Sequence, residues 1–284
     1  MKTWTIIDTN FLIWREFFAA GNREPVPSVI GALACGAEIV SHYAAIGVVW
    51  CFDVAPYNRS ALFPEYKASR IAKTPDTDAK SKEELRLLTG RLHTSILKGA
   101  GVKNIVALSG FEADDHIAAA VKALSKKDEA VIVSRDADLF QLLSPRVRMY
   151  DPVGRAEYTR DSFREPWNIH PSEWPQVKAI AGCSTDDVPG VDGVAEVTAA
   201  KYLKSEMNRM SPTFAKIRNF IDTPDYARNV TLCSLPFPGT PPGQLSPDSV
   251  PTTQTWAKVC QLLGVPDAVL AFNGPRAGRR VACG

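Results

Sequence analysis

Residues 104–115, NIVALSGFEADD, have the pattern of a short buried strand that runs directly into acidic side chains. Three further stretches have the same form: WTIID at 4–8, GVVWCFD at 47–53 and AVIVSRDAD at 130–138. Neighbouring parallel strands place their carboxyl ends side by side, at the edge where open α/β sheets bind ligands. Seven carboxylates are therefore expected to converge at this edge: Asp8, Asp53, Glu112, Asp114, Asp115, Asp136 and Asp138.

This acidic cluster indicates a cation site. Like charges repel one another inside a protein unless protons or cations neutralise them. Each acid alone has a structural explanation, as a helix cap or a turn residue. A helix N-terminus, however, stabilises one charge by only ~0.3–1 kcal/mol, which does not account for three acids beside others on neighbouring strands. Oxygen ligands suit Mg²⁺ or Mn²⁺, so the pattern predicts metal-assisted chemistry on phosphate.

The first 155 residues alternate between strand and helix patterns. This alternation predicts an α/β fold, in which helices flank both faces of a mostly parallel central sheet. The predicted strands are 3–8, 46–53, 104–109, 130–135 and 146–151, and the predicted helices are 28–44, 78–100 and 113–125.

Residues 57–91, the basic segment, interrupt this alternation and are expected to rise above the sheet. The cations in it are Arg59, Lys67, Arg70, Lys73, Lys80, Lys82, Arg86 and Arg91. On charge alone, a solvated pair of amphipathic helices explains them slightly better, because several acids offset the charge. The interleaved rings of Tyr57, Phe63 and Tyr66 favour nucleic acid, since rings stack on bases while cations hold phosphates.

A second unit begins near Trp167, and its pattern is helix, loop, glycine turn and helix without a strand. The stretch 236–253 is rich in proline and predicts an extended connector. A last helix is predicted at about 255–272, before a short basic tail.

Composition excludes few partners. The 284 residues carry a formal net charge of +2, from 33 basic and 31 acidic side chains, so net charge alone does not indicate a polyanionic partner. The six cysteines form no CxxC pair, which favours reduced thiols over a zinc site or a disulfide framework. No stretch approaches the ~18 apolar residues that cross a bilayer, and no secretory leader pattern is present. A cytoplasmic protein without membrane contact is expected.

Six motifs together resemble the 5′ nuclease family, the flap endonucleases and 5′–3′ exonucleases of bacteriophages and of the amino-terminal domain of bacterial DNA polymerase I. They are IIDTN, FDVAPYNRSALFPEYKASR, GFEADDHIA, VSRDADLFQLL, DDVPGVDGVAEVTAAKYL and ARNVTLCSLP, and they span the chain to about residue 237. The resemblance implies a PIN-like nuclease domain at 1–166 whose helical arch is the basic segment. A helix-three-turn-helix subdomain at 167–237 and a proline-rich connector with a C-terminal helix at 238–284 follow.

The resemblance also implies site residues for a two-metal phosphodiesterase. Asp8, Asp53, Glu112 and Asp114 would hold the first of two divalent cations, Mg²⁺ or Mn²⁺, while Asp115, Asp136, Asp138 and Asp186 would serve one or both ions directly or through water. Lys67 and Arg70 would contact the reacting phosphate, with Asp114 also catalytic. DNA contacts are expected at Arg59, Tyr66, Lys67, Arg70, Lys73, Gly190, Gly193 and Ala195, with K⁺ at the glycine hairpin.

Two departures from the family pattern affect these expectations. The usual GDxxDN loop is Gly182 to Asp187 here, and its first aspartate is Cys183, although Asp186 remains. Magnesium prefers oxygen to sulfur, so the second metal site is expected to be weaker, completed by water or rebuilt with Asp187. The second hairpin glycine is Ala195, and Asp192 and Val197 replace frequent lysines, which predicts a reduced grip on duplex DNA.

The resulting hypothesis is a structure-specific 5′ nuclease of phage or bacterial replication and repair. It would be a monomer, located in the host cytoplasm if phage-encoded, acting on DNA with 5′ ends or flaps, and RNA–DNA hybrids are included as substrates. One alternative is a catalytically weak DNA-structure binder with an impaired second metal site. Another is a PIN-type ribonuclease, which shares the acidic sheet edge but ordinarily lacks both the arch and the glycine-turn unit.

Overall fold

The computed structural model describes residues 2–19, 24–69 and 79–266. A six-stranded sheet forms its centre, and five of the strands are parallel. The strands are β1 Thr3–Asp8, β2 Gly47–Cys51, β3 Ile105–Val106, β4 Glu129–Val133, β5 Val147–Asp151 and β6 Ala156–Tyr158. Their order is β3-β2-β1-β4-β5-β6, with β6 antiparallel to β5. The predicted mostly parallel α/β fold is confirmed.

Strand register aligns the carboxyl ends that carry the acids. Asp8 lies opposite Cys51 on one side of β1, and Ile7 lies opposite Val133 on the other. Asp53 therefore follows the end of β2 by two residues, and the loop from Ser134 leaves β4 at the same level. The central strands have the uniformly buried Val/Ile-rich pattern of a sheet covered on both faces.

Helices cover both faces of the sheet. The described α-helices are α1 Thr9–Ala19, α2 Pro25–His42, α3 Asn58–Leu62, α4 Ala79–Arg91, α5 Leu97–Gly99, α6 Ala113–Ala123, α7 Arg160–Trp167, α8 Trp174–Ala181, α9 Glu196–Leu203, α10 Pro212–Ile221, α11 Pro224–Cys233 and α12 Thr253–Leu263. A π-helical turn, Leu92–Ile96, joins α4 to α5. Two 3₁₀ turns, Ala137–Leu142 and Pro171–Glu173, precede the helices that build the second unit.

Two apolar clusters lie on opposite faces of the sheet, because side chains alternate along each strand. Ile7 belongs to the cluster that packs against α1 and α2, whereas Ile6 belongs to the cluster that contains Trp174 of α8. The second unit therefore shares a continuous core with the sheet. Its predicted boundaries as a separate domain stay a prediction.

The structure adds elements that the sequence pattern did not predict, among them α1, α7, α10, α11 and β6. Helix α1 begins directly after Asp8, whose Oδ1 accepts a hydrogen bond from the Phe11 amide at 2.9 Å. Because no turn residue separates β1 from α1, the sequence gives little sign of a boundary there. Strand β6 has only three residues and is partly exposed, so it carries no strong alternation.

The connector lacks helix and strand across the described residues 234–252, as its proline content predicts. Polar contacts nevertheless fix the connector to strand β2. Ser249 Oγ accepts a hydrogen bond from the Val48 amide at 2.9 Å and donates one to its carbonyl at 3.1 Å. The last helix is found at Thr253–Leu263, and residues beyond 266 lie outside the described part of the chain.

Composition gave two further expectations, about membrane-spanning helices and about the cysteines. Among the described helices, none combines the length and hydropathy required to cross a membrane. Among the described residues, Cys51, Cys183, Cys233 and Cys260 are buried cysteines outside disulfide bonds. Cys35 is disulfide-bonded, so the expectation of six reduced thiols is wrong at that position.

Candidate metal centre and nucleic-acid interface

The carboxyl ends of β1 and β2 place Asp8 and Asp53 beside the first turn of α6. Asp8 Oδ2 accepts a hydrogen bond from the Ser134 hydroxyl at 3.0 Å, which joins the ends of β1 and β4. Asp53 Oδ1 accepts one from the Ala113 amide at 2.7 Å. Asp53 therefore serves as an anion at the α6 N-terminus, where the unpaired amides favour negative charge.

The pKa values of Asp8 and Asp114 indicate that acids from several elements lie close together at the sheet edge. Burial and the neighbouring Asp53 raise the pKa of Asp8 to about 7. Burial and repulsion from Asp136 and Asp8 raise the pKa of Asp114 well above its usual range, and Glu112 adds to that repulsion. Burial is the largest cause of both shifts, and repulsion from the neighbouring carboxylates adds to it. Bound cations would relieve this repulsion.

A second group of donors lies beside the first. One ligand atom each from Asp138, Cys183 and Asp186 falls within 4.8 Å of the others, and this is the donor group found within the described residues. Lys178 Nζ lies 3.2 Å from Asp138 Oδ1. Burial and Asp136 still raise the pKa of Asp138 to about 6, although Lys178 opposes the rise.

Backbone hydrogen bonds shape the loop that carries Cys183 and Asp186. Cys183 and Val188 exchange two hydrogen bonds, at 2.8 and 3.0 Å, and the Asp186 amide donates to the Cys183 carbonyl at 3.1 Å. Asp187 adopts the left-handed conformation at φ 58°. Its carboxylate turns away from the donor group and accepts from the Ser69 amide at 2.8 Å. The expectation that Asp187 rebuilds the site is therefore not favoured by this geometry.

The basic segment enters the site through Tyr66 and Lys67. The Tyr66 hydroxyl donates to Glu112 Oε2 at 2.8 Å, and the Lys67 ammonium forms an ion pair with Glu112 Oε1. Lys67 Nζ also lies 3.7 Å from Asp186 Oδ1, so its charge stands between the two groups of donors. A cation in this position can face a phosphate that approaches the acids. Arg70 and Lys73 lie outside the described residues.

Arg59 and Asp115 are in the interior. Asp115 is fully buried, and its two oxygens accept hydrogen bonds from the Arg59 guanidinium, the Glu112 amide and the Phe237 amide. Arg59 is 3% exposed and also contacts Glu112 Oε2 at 2.9 Å. This geometry does not favour the predicted metal contact of Asp115 or the predicted DNA contact of Arg59, because neither side chain reaches the open edge.

The glycine hairpin follows the Cys183 loop. Gly190 packs so tightly that an added Cβ would lie 2.3 Å from the Ala181 carbonyl carbon. Gly193 has φ 75°, and an added Cβ there would meet nothing within 4 Å. Ala195 is the N-cap of α9 and contributes no side-chain cap. The hairpin thus presents backbone next to a helix N-terminus, an arrangement suited to phosphate.

Two functional neighbours were missed by the sequence interpretation. Lys178 had no signal beyond being a single cation within the apolar run of α8, and its ion pair with Asp138 depends on tertiary structure. Ser134 was part of a quoted motif, but its two hydrogen bonds, to Asp8 and from the Asp136 amide, follow from the turn after β4.

Known proteins resemble this chain in sequence. The model of the 5′–3′ exonuclease N-terminal resolvase-like domain matches residues 3–168. A 5′–3′ exonuclease from Aquifex aeolicus is 31% identical over 211 residues, which are 72% of this chain and 70% of that protein. The thermostable DNA polymerase I of Thermus thermophilus is 32% identical over 208 residues, which are 70% of this chain but 23% of the polymerase.

Solved structures show the same fold. A T5 5′-exonuclease with bound zinc superposes with a TM-score of 0.70 at 19% identity, covering 92% of this chain and 95% of that one. The catalytic core of Rad2 in complex with DNA substrate superposes with a TM-score of 0.51 at 13% identity, covering 94% of this chain and 89% of that one.

Proposed function

The chain belongs to the 5′–3′ exonuclease family, and from this we propose that it is a structure-specific 5′ nuclease that hydrolyses DNA phosphodiesters near a 5′ end or flap junction. One observation carries the proposal. Asp8 and Asp114 meet carboxylates from the ends of β2 and β4 at a single sheet edge, where burial and this repulsion raise the pKa of Asp8 and of Asp114. All the strands and helices that bring them there lie within residues 3–168, the part that the family model matches.

The donors fit two divalent cations, Mg²⁺ or Mn²⁺. Asp8, Asp53, Glu112 and Asp114 would hold one, and Asp136, Asp138 and Asp186 would serve the other. Their fit rests on burial and mutual repulsion at Asp8 and Asp114. Glu112 is already paired with Arg59 and Lys67, and Asp138 with Lys178. Divalent ions at such positions supply an activated water and offset charge on the leaving oxygen.

The chain's own cations would orient the phosphate. Lys67 lies between the two groups of donors, so an arriving phosphate can replace Glu112 as the partner of its ammonium. Charge developing on the phosphate oxygens would then be stabilised by a donor already in place. By resemblance Arg70 would assist, and Tyr66 would hold Glu112 in position through its hydroxyl.

The glycine hairpin would hold duplex backbone. Gly190, Gly193 and the start of α9 at Ala195 present amides without bulky side chains, and such contacts position DNA without reading its sequence. K⁺ at this hairpin, action on RNA–DNA hybrids and a monomeric state are further parts of the proposal.

Cleavage of a 5′-labelled flap duplex tests the function. The wild-type chain is expected to cut near the junction with Mg²⁺ or Mn²⁺ and to stop in EDTA. Asp114→Asn is the matched inactive control. Cleavage that persists in EDTA, or equal cleavage by Asp114→Asn, indicates a contaminating nuclease. If the wild-type chain does not cleave the flap duplex with any divalent ion, the proposal is wrong.

Cys183 favours a second candidate, a DNA-structure binder of low activity. The thiol occupies a ligand position of the second donor group, where oxygen would suit Mg²⁺ better. Restoring Cys183→Asp separates the two. A rise in the Mg²⁺-dependent rate of about 100-fold or more supports the weak binder, and an unchanged rate supports the nuclease as it stands.

A further inference from the structure

Two free thiols lie in the cavity that carries the second donor group. Cys183 and Cys233 are 7% and 8% exposed, and both line the small cavity walled by Asp138 and Asp186. The Cys183 sulfur is itself within 4.8 Å of the ligand oxygens of both acids. Thus three donor atoms, two oxygens and one sulfur, face a common point.

We propose that Asp138, Cys183 and Asp186 form a mixed oxygen–sulfur site, hereafter the thiol site, that selects Zn²⁺ over Mg²⁺. The inference rests on the proposed nuclease function and specifies the ion that its second position takes. Zn²⁺ accepts thiolate and carboxylate ligands together, whereas Mg²⁺ requires a nearly octahedral set of oxygens. Three protein ligands also leave one position open, as in catalytic rather than structural zinc sites.

The ligands are ordered by the backbone. The paired hydrogen bonds between Cys183 and Val188 close a tight loop, and the Asp186 amide bonds within the same loop. Asp138 lies in the 3₁₀ turn, where its amide donates to Asp136 Oδ1 at 2.8 Å. Since loop and turn are held independently of any ion, little ordering remains to oppose binding.

Charge at the thiol site suits a divalent ion. Two carboxylates and a thiolate would leave one negative charge in excess around Zn²⁺. Lys178 Nζ lies 3.2 Å from Asp138, and Lys67 Nζ lies 3.7 Å from Asp186. These ammonium groups offset the excess, so a third anionic ligand is tolerated in a buried position.

A packing role for Cys183 is the competing explanation. Its side chain contacts Tyr66, Val188 and Leu232, and a buried cysteine often acts only as a small apolar group. Packing predicts tolerance of Cys183→Ser without any change in metal preference. The thiol site predicts the reverse, because serine keeps the size of the side chain and removes the soft ligand.

Cobalt absorption distinguishes these explanations directly. On titrating the metal-free full chain with CoCl₂, we expect a saturable near-ultraviolet band from sulfur-to-cobalt charge transfer. ZnCl₂ should abolish the band at about stoichiometric amounts, while a large excess of MgCl₂ should not. Cys183→Ser should lose the band and weaken Zn²⁺ binding by about 100-fold or more, the upper range for perturbing a metal's surroundings.

The control is Cys260→Ser, which removes a fully buried thiol on α12 outside the site. It should retain the band. Circular dichroism of each variant confirms folding, and Cys183→Asp, an oxygen-donor variant, should let Mg²⁺ compete with Zn²⁺. A wild-type chain without the band, or a band that survives in Cys183→Ser, overturns the assignment.

Flap cleavage by the same preparations separates this proposal from the nuclease itself. Mg²⁺-dependent cleavage without a cobalt–thiolate band refutes the thiol site and leaves the nuclease intact. A band that Zn²⁺ removes, together with no cleavage under Mg²⁺, Mn²⁺ or Zn²⁺, supports the thiol site and refutes the nuclease.

Discussion

Arg59 and Asp115 form a two-pronged buried ion pair, with Nη1 2.6 Å from Oδ2 and Nη2 2.8 Å from Oδ1. Arg59 Nε also donates to the Leu232 carbonyl at 3.0 Å, and the Phe237 amide donates to Asp115. The pair therefore joins the basic segment, α6 and the end of α11. Because Glu112 and Asp114 lie three residues and one residue before Asp115 in the chain, this pair fixes the position of the acids at the start of α6.

Asp115→Asn should lower the free energy of unfolding by about 3–5 kcal/mol, because it leaves the buried Arg59 charge without its partner. Urea unfolding in EDTA and in Mg²⁺ measures the loss, which should appear in both. The exposed Asp161→Asn, which removes only a surface pair with Arg160, is the control and should change little. Normal stability with reduced metal affinity would instead make Asp115 the ligand that the family resemblance implies.

Asp114→Asn should have the opposite effect on stability. The variant should lose cleavage, while the metal-free protein gains about 1–4 kcal/mol, since a carboxylate repelled by Asp136 and Asp8 is removed. Thermal unfolding in EDTA and flap cleavage in Mg²⁺ measure the two effects. If Asp114→Asn melts much earlier without metal, the residue is a structural cap of α6.

The raised pKa of Asp8 predicts how stability depends on pH in the absence of metal. The folded protein holds the Asp8 proton up to about pH 7, whereas the unfolded chain releases it near 3.8. The folded state thus binds more protons in this interval, and stability falls as pH rises through it. The rise in pKa corresponds to on the order of 4 kcal/mol.

Unfolding in EDTA at pH 5 and pH 8 tests this sign. Asp8→Asn should be more stable than wild type at both pH values, with the larger advantage at pH 8. Saturating Mg²⁺ should remove the advantage, because the ion replaces the proton as the neutralising charge. An advantage that shrinks from pH 5 to pH 8 would contradict the repulsion at this edge.

Strand pattern was enough to predict where the acids at the strand ends lie, but not what each acid does there. Asp8 and Asp53 were predicted correctly at the sheet edge because they follow strands whose register is fixed by burial on both faces. Asp115 belongs to the same sequence motif, yet helix geometry turns it from Asp114 toward Arg59. The sequence pattern cannot tell which of two adjacent acids binds a metal and which has a structural role, because both roles are compatible with the first turn of a helix.

Tertiary contacts account for the remaining differences. Lys178 and Asp138 are 40 residues apart and belong to different elements, and no local spacing indicates that they pair. Cys183 was recognised as a departure, but Cys233 was not connected with it, since α11 returns to the site only in the folded chain. Long-range packing thus decides the ligand chemistry of the second donor group.

Alanine at Gly190 should mainly lower stability, whereas alanine at Gly193 should mainly weaken duplex binding. Gly190→Ala forces a methyl against backbone of Ala181 and Gly182, which cannot move aside, so stability should fall by about 3 kcal/mol or more. The methyl group of Gly193→Ala would lie in open space, so the only loss of stability is that of an alanine at positive φ, about 1–2 kcal/mol. It should mainly weaken duplex binding, because its methyl faces the side where DNA would approach.

Urea unfolding and fluorescence anisotropy with a duplex compare the two glycine variants. Equal affinity of Gly193→Ala and wild type for duplex DNA, with the fold intact, would remove the hairpin from the proposed interface. A Gly190→Ala variant as stable as wild type would mean that the loop can open away from α8.

Lys67→Ala should slow flap cleavage by about 10²–10³-fold, the range expected when one charge-stabilising donor is removed from a transition state. Affinity for divalent ions should not fall, because Lys67 competes with them for Glu112 and Asp186. Lys80→Ala, at an exposed position on α4, is the matched control and should leave the rate nearly unchanged.

Salt dependence tells whether Lys67 also binds phosphate before the reaction. The slope of log affinity against log salt should be negative for wild type, at about −0.9 per phosphate neutralised on duplex DNA. Lys67→Ala should reduce that slope by about one phosphate, and Lys80→Ala by less. If Lys67→Ala leaves the slope unchanged but slows cleavage, Lys67 acts in the transition state alone. Its ammonium would then exchange Glu112 for phosphate only as charge develops on the phosphate.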